Sequence, residues 1–199
     1  MVHKTYLFMI MKLLLLLALS ASAALLNEAG SPTSWGVDPS HSSVTFHVGY
    51  LGISEVTGNF TSYQGTISGP NSDLTDAQIR FVVDVNSINT DVDARDNHLK
   101  SPDFFDAAKF PQMTFESTSF KRKGKDYVVE GTMTIKGVSK PVKFDVAYGG
   151  TAKDNYGNER VGLALQGKIL RSTYGILGGQ GVVDDEVDFA LNVNLIRGK

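Results

Sequence analysis

From Trp35 onward the chain alternates apolar and polar positions with a period of two, the spacing of half-buried β-strands. Val44, Phe46 and Val48 alternate with Thr45 and His47. Phe60, Gly65, Ile67 and Gly69 continue an extended run that Pro70, Asn71, Ser72 and Asp73 end. Ile79, Phe81, Val83 and Val85 give the clearest alternation of the first half. Met113, Phe115, Ser117 and Ser119 share the next face, and residues 127–135, 142–148, 161–169 and 187–195 repeat the pattern. Turn signals separate the runs at residues 121–126, 137–139 and 154–158. The pattern predicts about eight strands, each with one apolar face, at hairpin spacing. One apolar face per strand means that all of them border the same interior. A sandwich or a closed barrel satisfies this, and only closure removes the strand edges. An eight-stranded barrel is just wide enough to be filled by side chains or to hold one small elongated ligand.

The alternation stops over residues 91–109, which are rich in charge and carry two adjacent phenylalanines. Ser101 is predicted to cap a short helix that starts at Pro102, with Asp103 suiting its positive end and Phe104 and Phe105 on its body. Phe110 precedes Pro111 and is pushed back to an extended backbone. The segment reads as a helical cap over one end of the barrel, with Phe104 and Phe105 closing that end.

Composition changes the picture mainly at the N-terminus. Lys4 and Lys12, an unbroken apolar run over residues 13–19, and Ala21-Ser22-Ala23 form the pattern of a cleavable secretory signal over residues 1–23. Met11 offers a second start to the same signal. The apolar run is too short to span a bilayer, so no stable membrane insertion is expected after its removal. Residues 24–34 read as a flexible leader and residues 35–197 as one barrel domain. The whole chain of 199 residues has no cysteine and a net charge of −2, and loss of Lys4 and Lys12 makes the remainder more acidic. No disulfide framework and no nucleic-acid surface are expected. The expected location is the periplasm, with full secretion as the other fate of an exported chain.

Candidate chemistry is sparse. No nucleophile elbow, phosphate-binding glycine loop or zinc-hydrolase motif occurs, so no catalytic residue is assigned and no enzyme activity is expected. His41, His47 and His98 share no metal-ligand spacing, so neither a metal nor a cofactor is expected. Asp184, Asp185 and Glu186 read as a solvated loop before the last strand. Arg95, Asp96 and His98 either tie the cap to the barrel or bind a polar head group. Arg171, with Ser172 and Tyr174 at a strand end, has the same two readings. An apolar patch at Ile176 and Leu177 would suit a homodimer. The interior face mixes large rings with Gly65, Gly131, Gly167 and Ser117. That mixture interdigitates into a solid core or leaves a channel, and the pattern alone does not choose.

The residues from Trp35 to Ser42, then Leu51-Gly52-Ile53-Ser54 with Gly58-Asn59-Phe60, resemble the opening of the YceI-like polyisoprenoid-binding proteins. Ser87-Ile88-Asn89-Thr90 followed by Arg95-Asp96-Asn97-His98-Leu99 and Ser101-Pro102-Asp103-Phe104-Phe105 is the most specific block. Phe110-Pro111, the run from Gly131 to Val138, and Arg171-Ser172 with Tyr174-Gly175 complete the likeness. Tyr50 stands where that family often has histidine. The resemblance implies an elongated lipocalin-like antiparallel barrel with a tunnel for a polyisoprenoid, an isoprenoid quinone or a fatty-acid-like lipid. Phe46, Phe60, Phe81, Val83, Phe104, Phe105, Phe115, Phe144, Leu163, Leu165 and Phe189 would then contact the lipid. The rival readings are a solid-cored, stress-related structural or interaction module and an enzyme acting on an isoprenoid or quinone.

Overall fold

The protein's structure, a computed structural model, describes residues 33–69 and 73–198. The predicted signal and most of the leader lie outside the described residues. Eleven strand segments follow one another: β1 (Thr33–Val37), β2 (Ser43–Tyr50), β3 (Ser54–Phe60), β4 (Tyr63–Gly69), β5 (Gln78–Asp84), β6 (Ile88–Asn89), β7 (Gln112–Lys123), β8 (Asp126–Ile135), β9 (Val138–Lys153), β10 (Glu159–Leu170) and β11 (Val183–Arg197). One helix, α1 (Asp93–Leu99), lies between β6 and β7. Strand begins at Thr33, so the last two residues expected in the leader belong to β1.

These segments trace eight strand paths. β1 and β2 both pair with β11, β1 at Leu195 to Arg197 and β2 between Val183 and Asn192, so they are one path interrupted at residues 38–42. β3 and β4 form a second path, pairing with β2 and β1 respectively. β5 and β6 form the third. β7 to β11 continue the antiparallel meander, and the β1–β11 pairing closes it. The predicted all-β, eight-stranded antiparallel barrel with one short helical insertion is the observed fold.

Three local expectations change. The helix lies nine residues earlier than predicted, at Asp93–Leu99 and not from Pro102, and residues 102–105 form turns. Ser101 precedes a proline, which disfavours continuing helix there, and its buried hydroxyl has no partner among the described residues. The helix start is fixed instead by Asp96, whose Oδ1 accepts from Thr90 N at 2.9 Å and Thr90 Oγ1 at 2.5 Å. In β7 a bulge between Ser117 and Ser119 shifts the register, so Phe120, and not Ser119, faces inward and is 1% exposed. Ile79 N donates to Ser117 Oγ at 2.8 Å beside it. The acidic run 184–186 lies in the first turn-to-strand residues of β11, across a register shift, not in a free loop.

The break between β1 and β2 is held by an ion network. Arg160 Nη1 donates to Asp38 Oδ2 at 2.7 Å and Asn194 Oδ1 at 3.0 Å, and its Nε donates to Asp154 Oδ2 at 2.9 Å. The Arg160 guanidinium and the His41 ring beside Asp38 hold its carboxyl at about 2. Asp154 is also lowered, first by its hydrogen bond from the Asn158 amide and also by Arg160. A carboxyl lowered by folding adds stability above its unfolded value, and that contribution is lost as pH falls through the folded value. Stability to urea is therefore expected to be flat from neutrality down to about pH 4 and to fall between about pH 4 and 2. Arg160→Met should flatten that acid limb, which chemical denaturation at a series of pH values measures.

Buried clusters plug both ends of the barrel. At the far end, where the chain passes through residues 73–77, 124–125 and 154–158, Trp35, Ile67, Leu74, Phe120, Tyr127, Val161 and Leu195 pack together. The Phe120 and Tyr127 rings stack with centroids 4.7 Å apart. At the cap end Phe104, Ile135, Tyr174 and Ile176 form a second plug. Val44, Phe60, Val83 and Ile88 form a third cluster under the side of the cap.

Candidate functional site

Between the plugs the barrel is hollow. A cavity of about 260 Å³ runs from Phe120 and Val129 at the far end to Ile176, Arg171 and Val183 beneath the cap. Packing defects in close-packed interiors are much smaller, and an apolar void of roughly 150 Å³ already takes up a ring the size of benzene. The interior rings carry the same message. Phe46, Phe81, Phe115, Phe144 and Phe189 point into a closed barrel yet are only half-buried, because they face a void. Phe60 and Phe120, which pack into the clusters, are 6% and 1% exposed.

Register explains why so many rings leave a space. Gly65 lies directly across from Phe81, Gly58 across from Phe46, and Gly167 across from Phe189. A Cβ at Gly65 would stand 2.6 Å from Phe81 Cδ2, and one at Gly167 would stand 2.6 Å from Phe189 Cζ and 2.8 Å from Phe144 Cε1. Each ring therefore lies down over a cross-strand glycine, against the wall, and the lumen stays clear. The rings of Phe144 and Phe189 then meet edge to face at 5.2 Å.

All eleven residues assigned to the ligand by the sequence line this one cavity, Phe104 and Phe105 at its cap end. Val44, Val48, Met113, Met133, Leu191 and Val193 line it too and were not singled out, although the same alternation carried their signal. Leu99 and Ile176 also line it, from segments with no strand period. Ile176 is 5% exposed and faces inward, so it forms no outer patch with Leu177.

The four charged candidates separate. Arg95 Nε donates to Thr90 Oγ1 at 2.7 Å and its Nη2 to Thr90 O at 2.7 Å, while Asp96 accepts from the same threonine. Both tie α1 to the end of β6 and neither lines the cavity. The His98 side chain is 60% exposed, 3.3 Å from Asp103 Oδ2, and its ring meets Phe104 edge to face at 5.0 Å. Arg171 differs. It is 6% exposed and lines the cavity. Its guanidinium donates to four carbonyls: Asp184 at 2.8 Å, Ile176 at 3.1 Å, Gly178 at 2.6 Å and Val183 at 2.9 Å. A guanidinium has five N–H groups, so one is left over, and no carboxylate forms an ion pair with it among the described residues. Arg80, the other charged residue at the cavity wall, has a 68% exposed side chain beside Glu116. Of the two charged residues that line this cavity, Arg171 is the one that is buried. Burial also pushes the neighbouring Tyr174 hydroxyl up. Among the described residues no group of three His, Cys, Asp or Glu side chains is placed to hold a metal ion.

The chain matches known proteins along most of its length. A UPF0312 protein of Pectobacterium atrosepticum is 32% identical over 188 residues, covering 92% of this chain and 97% of that protein. The crystal structure of the Campylobacter jejuni YCEI protein superposes with a TM-score of 0.67 at 32% identity, over 74% of this chain and 88% of that one. A polyisoprenoid binding domain from Saccharophagus degradans, implicated in plant cell wall breakdown, superposes with a TM-score of 0.68 over 82% of this chain and 98% of its own, and at 17% identity it shares the fold. The YceI-like domain model matches residues 35–195, which is the whole barrel from Trp35 in β1 to Leu195 in β11, and the chain belongs to the YceI-like family.

Proposed function

We propose that the protein binds one long-chain amphiphile, a polyisoprenoid, an isoprenoid quinone or a fatty-acid-like lipid, in its internal tunnel and shields or carries it through the periplasm. The observation that carries this reading is a lumen walled by half-buried phenylalanines between two packed ends. An apolar chain gains about 0.8 kcal/mol for each methylene removed from water, so about ten methylenes supply roughly the free energy of a micromolar complex before ordering costs. No charged pocket is needed. The inward Arg171 sets the polarity of the bound molecule: its spare N–H and its charge favour a carbonyl, hydroxyl or phosphate head at the cap end, with the tail towards Phe120. The polyisoprenoid-binding name of the Saccharophagus degradans domain supports the same ligand class. The reading is one of binding without catalysis, supported by an almost wholly apolar lining, since acid–base chemistry draws on several convergent polar groups.

Uptake of a fluorescent polyprenyl analogue tests the proposal. Phe81→Asp puts a carboxylate on the tunnel wall, where it is either charged and unsolvated or must take up a proton. Uptake is expected to weaken at least about tenfold in a protein whose circular dichroism is that of the parent. Unchanged uptake would remove Phe81 from the binding wall.

A further inference from the structure

We propose that the cap end of the barrel docks on a lipid bilayer of net-neutral headgroups, with Leu51, Ile53 and Leu177 entering the interface. The proposal rests on the reading that the tunnel holds a lipid. Eight large apolar residues are exposed among the described residues, and seven of them lie at this one end. Tyr50 ends β2, Leu51 and Ile53 are on the β2–β3 turn, Val92 precedes α1, Leu170 ends β10, and Leu177 and Val182 are on the β10–β11 connection. The far end contributes Tyr156 alone. The turn and the connection touch: Leu51 N donates to Val182 O at 2.8 Å, and Tyr50 pairs with Val183.

Folding does not require these side chains. Leu51 has a φ of 55°, a backbone region that asparagine or glycine occupies with less strain, and Ile53 is 83% exposed. A leucine held in that conformation at a solvent-facing tip, beside a bare isoleucine, costs the free protein stability and solubility. The cavity reaches this same end, where Arg171, Ile176 and Val183 line it together with Phe104 and Phe105 of the cap. At the far end Trp35, Phe120, Tyr127 and Leu195 pack together and are at most 3% exposed. The cap is attached to its surroundings by contacts such as Lys136 Nζ to Pro102 O at 2.9 Å and Gly178 N to Asp103 O at 3.0 Å. A second copy seated on this end would cover the cap end of the cavity, whereas a bilayer is where an amphiphilic cargo resides.

Charge selects the headgroup. Lys136 is engaged by the Pro102 and Gly175 carbonyls, and Lys168 by Glu186 and Asp188. The other lysines of this end, Lys100, Lys109 and Lys140, are outnumbered by Glu55, Asp93, Asp103, Asp184 and Asp185, so the rim has no basic patch for anionic lipid. Attachment therefore depends on apolar insertion, as for other surfaces that lie in the interface.

The test is flotation of the full-length mature protein with phosphatidylcholine vesicles, with and without added phosphatidylglycerol, comparing the parent with the Leu51→Asn, Ile53→Asp double variant. Asparagine suits the φ at position 51, so the melting temperature of the variant should not fall. The parent is expected to float with phosphatidylcholine, phosphatidylglycerol should not strengthen it, and the variant should bind at least about tenfold less, the change that losing part of one aliphatic side chain's burial produces. Equal binding by the variant, no binding by the parent, or a patch-dependent dimer by sedimentation in place of vesicle binding would overturn the proposal. Mass spectrometry of lipid held by the same samples separates the two readings. A protein that carries lipid yet ignores vesicles refutes docking and leaves the tunnel standing, and one that binds vesicles but never holds lipid supports the docking surface and refutes the tunnel.

Discussion

Replacing Gly167 with valine is expected to close the tunnel without unfolding the barrel. A Cβ there would fall 2.6 Å from Phe189 Cζ and 2.8 Å from Phe144 Cε1, well inside contact distance. Both rings line the cavity, so the free direction is the lumen. Two phenyl rings turned into a cavity of about 260 Å³ take most of the space a hydrocarbon tail would use. Valine suits a strand, and the void beside the two rings lets them move, which limits the cost of the added volume. Uptake of a polyprenyl analogue should therefore fall at least about tenfold while the melting temperature drops by about 2–12 °C, leaving the protein folded. Gly36→Val is the control, since a Cβ at Gly36 meets no atom within 4 Å. It should leave uptake unchanged. Equal uptake by parent and Gly167→Val would mean that the Phe144–Phe189 pair does not border the cargo.

Replacing Arg171 with methionine is expected to be the most destabilising single change at the cap end. The side chain is 6% exposed and satisfies four carbonyls contributed by residues 176, 178, 183 and 184. Methionine matches its length but leaves those acceptors without donors, at about 1–3 kcal/mol for each one that stays dry. Water will reach some of them, so a net loss of about 3 kcal/mol is the reasonable figure, and in a domain of this size that lowers the melting temperature by about 6–12 °C. Lysine should not rescue it, because one ammonium has three donors and lacks the planar fork that reaches four carbonyls. A calorimetric scan measures the effect. If Arg171 also receives the head group, the surviving folded protein should show weaker uptake of a phosphate-bearing amphiphile than of a plain hydrocarbon probe. A melting temperature unchanged in Arg171→Met would contradict the structural role.

The barrel was legible because its strands obey a strict period. Phe46, Phe81 and Phe189 each recur with neighbours two residues away, and such spacing leaves no other face to bury. The strand residues of the cavity lining followed from the same period, whereas Phe104 and Phe105 came from the cap segment, which has none. The bulge after Ser117 was not legible, since a bulge is a register event between two strands and its sequence, Ser117-Thr118-Ser119, suits either face. The helix was misplaced by nine residues because its start, Val92, has no capping side chain, and the contact that fixes it runs from Asp96 back to Thr90. Ser101-Pro102 carried the stronger local signal and marks the helix's end. Hollowness was the hardest property to read. A period tells which way a ring points but not whether rings meet, and that depends on Gly65 standing opposite Phe81 and Gly167 opposite Phe189, pairings that exist only once the register is set.

Native mass spectrometry of the mature protein, purified without detergent, tests the account most directly. It should show a one-to-one complex heavier than the polypeptide by the mass of a single long-chain lipid, with the extra mass released by organic solvent and much reduced in Gly167→Val. A polypeptide mass with no adduct, in a sample that also refuses added polyprenyl lipid, would contradict it.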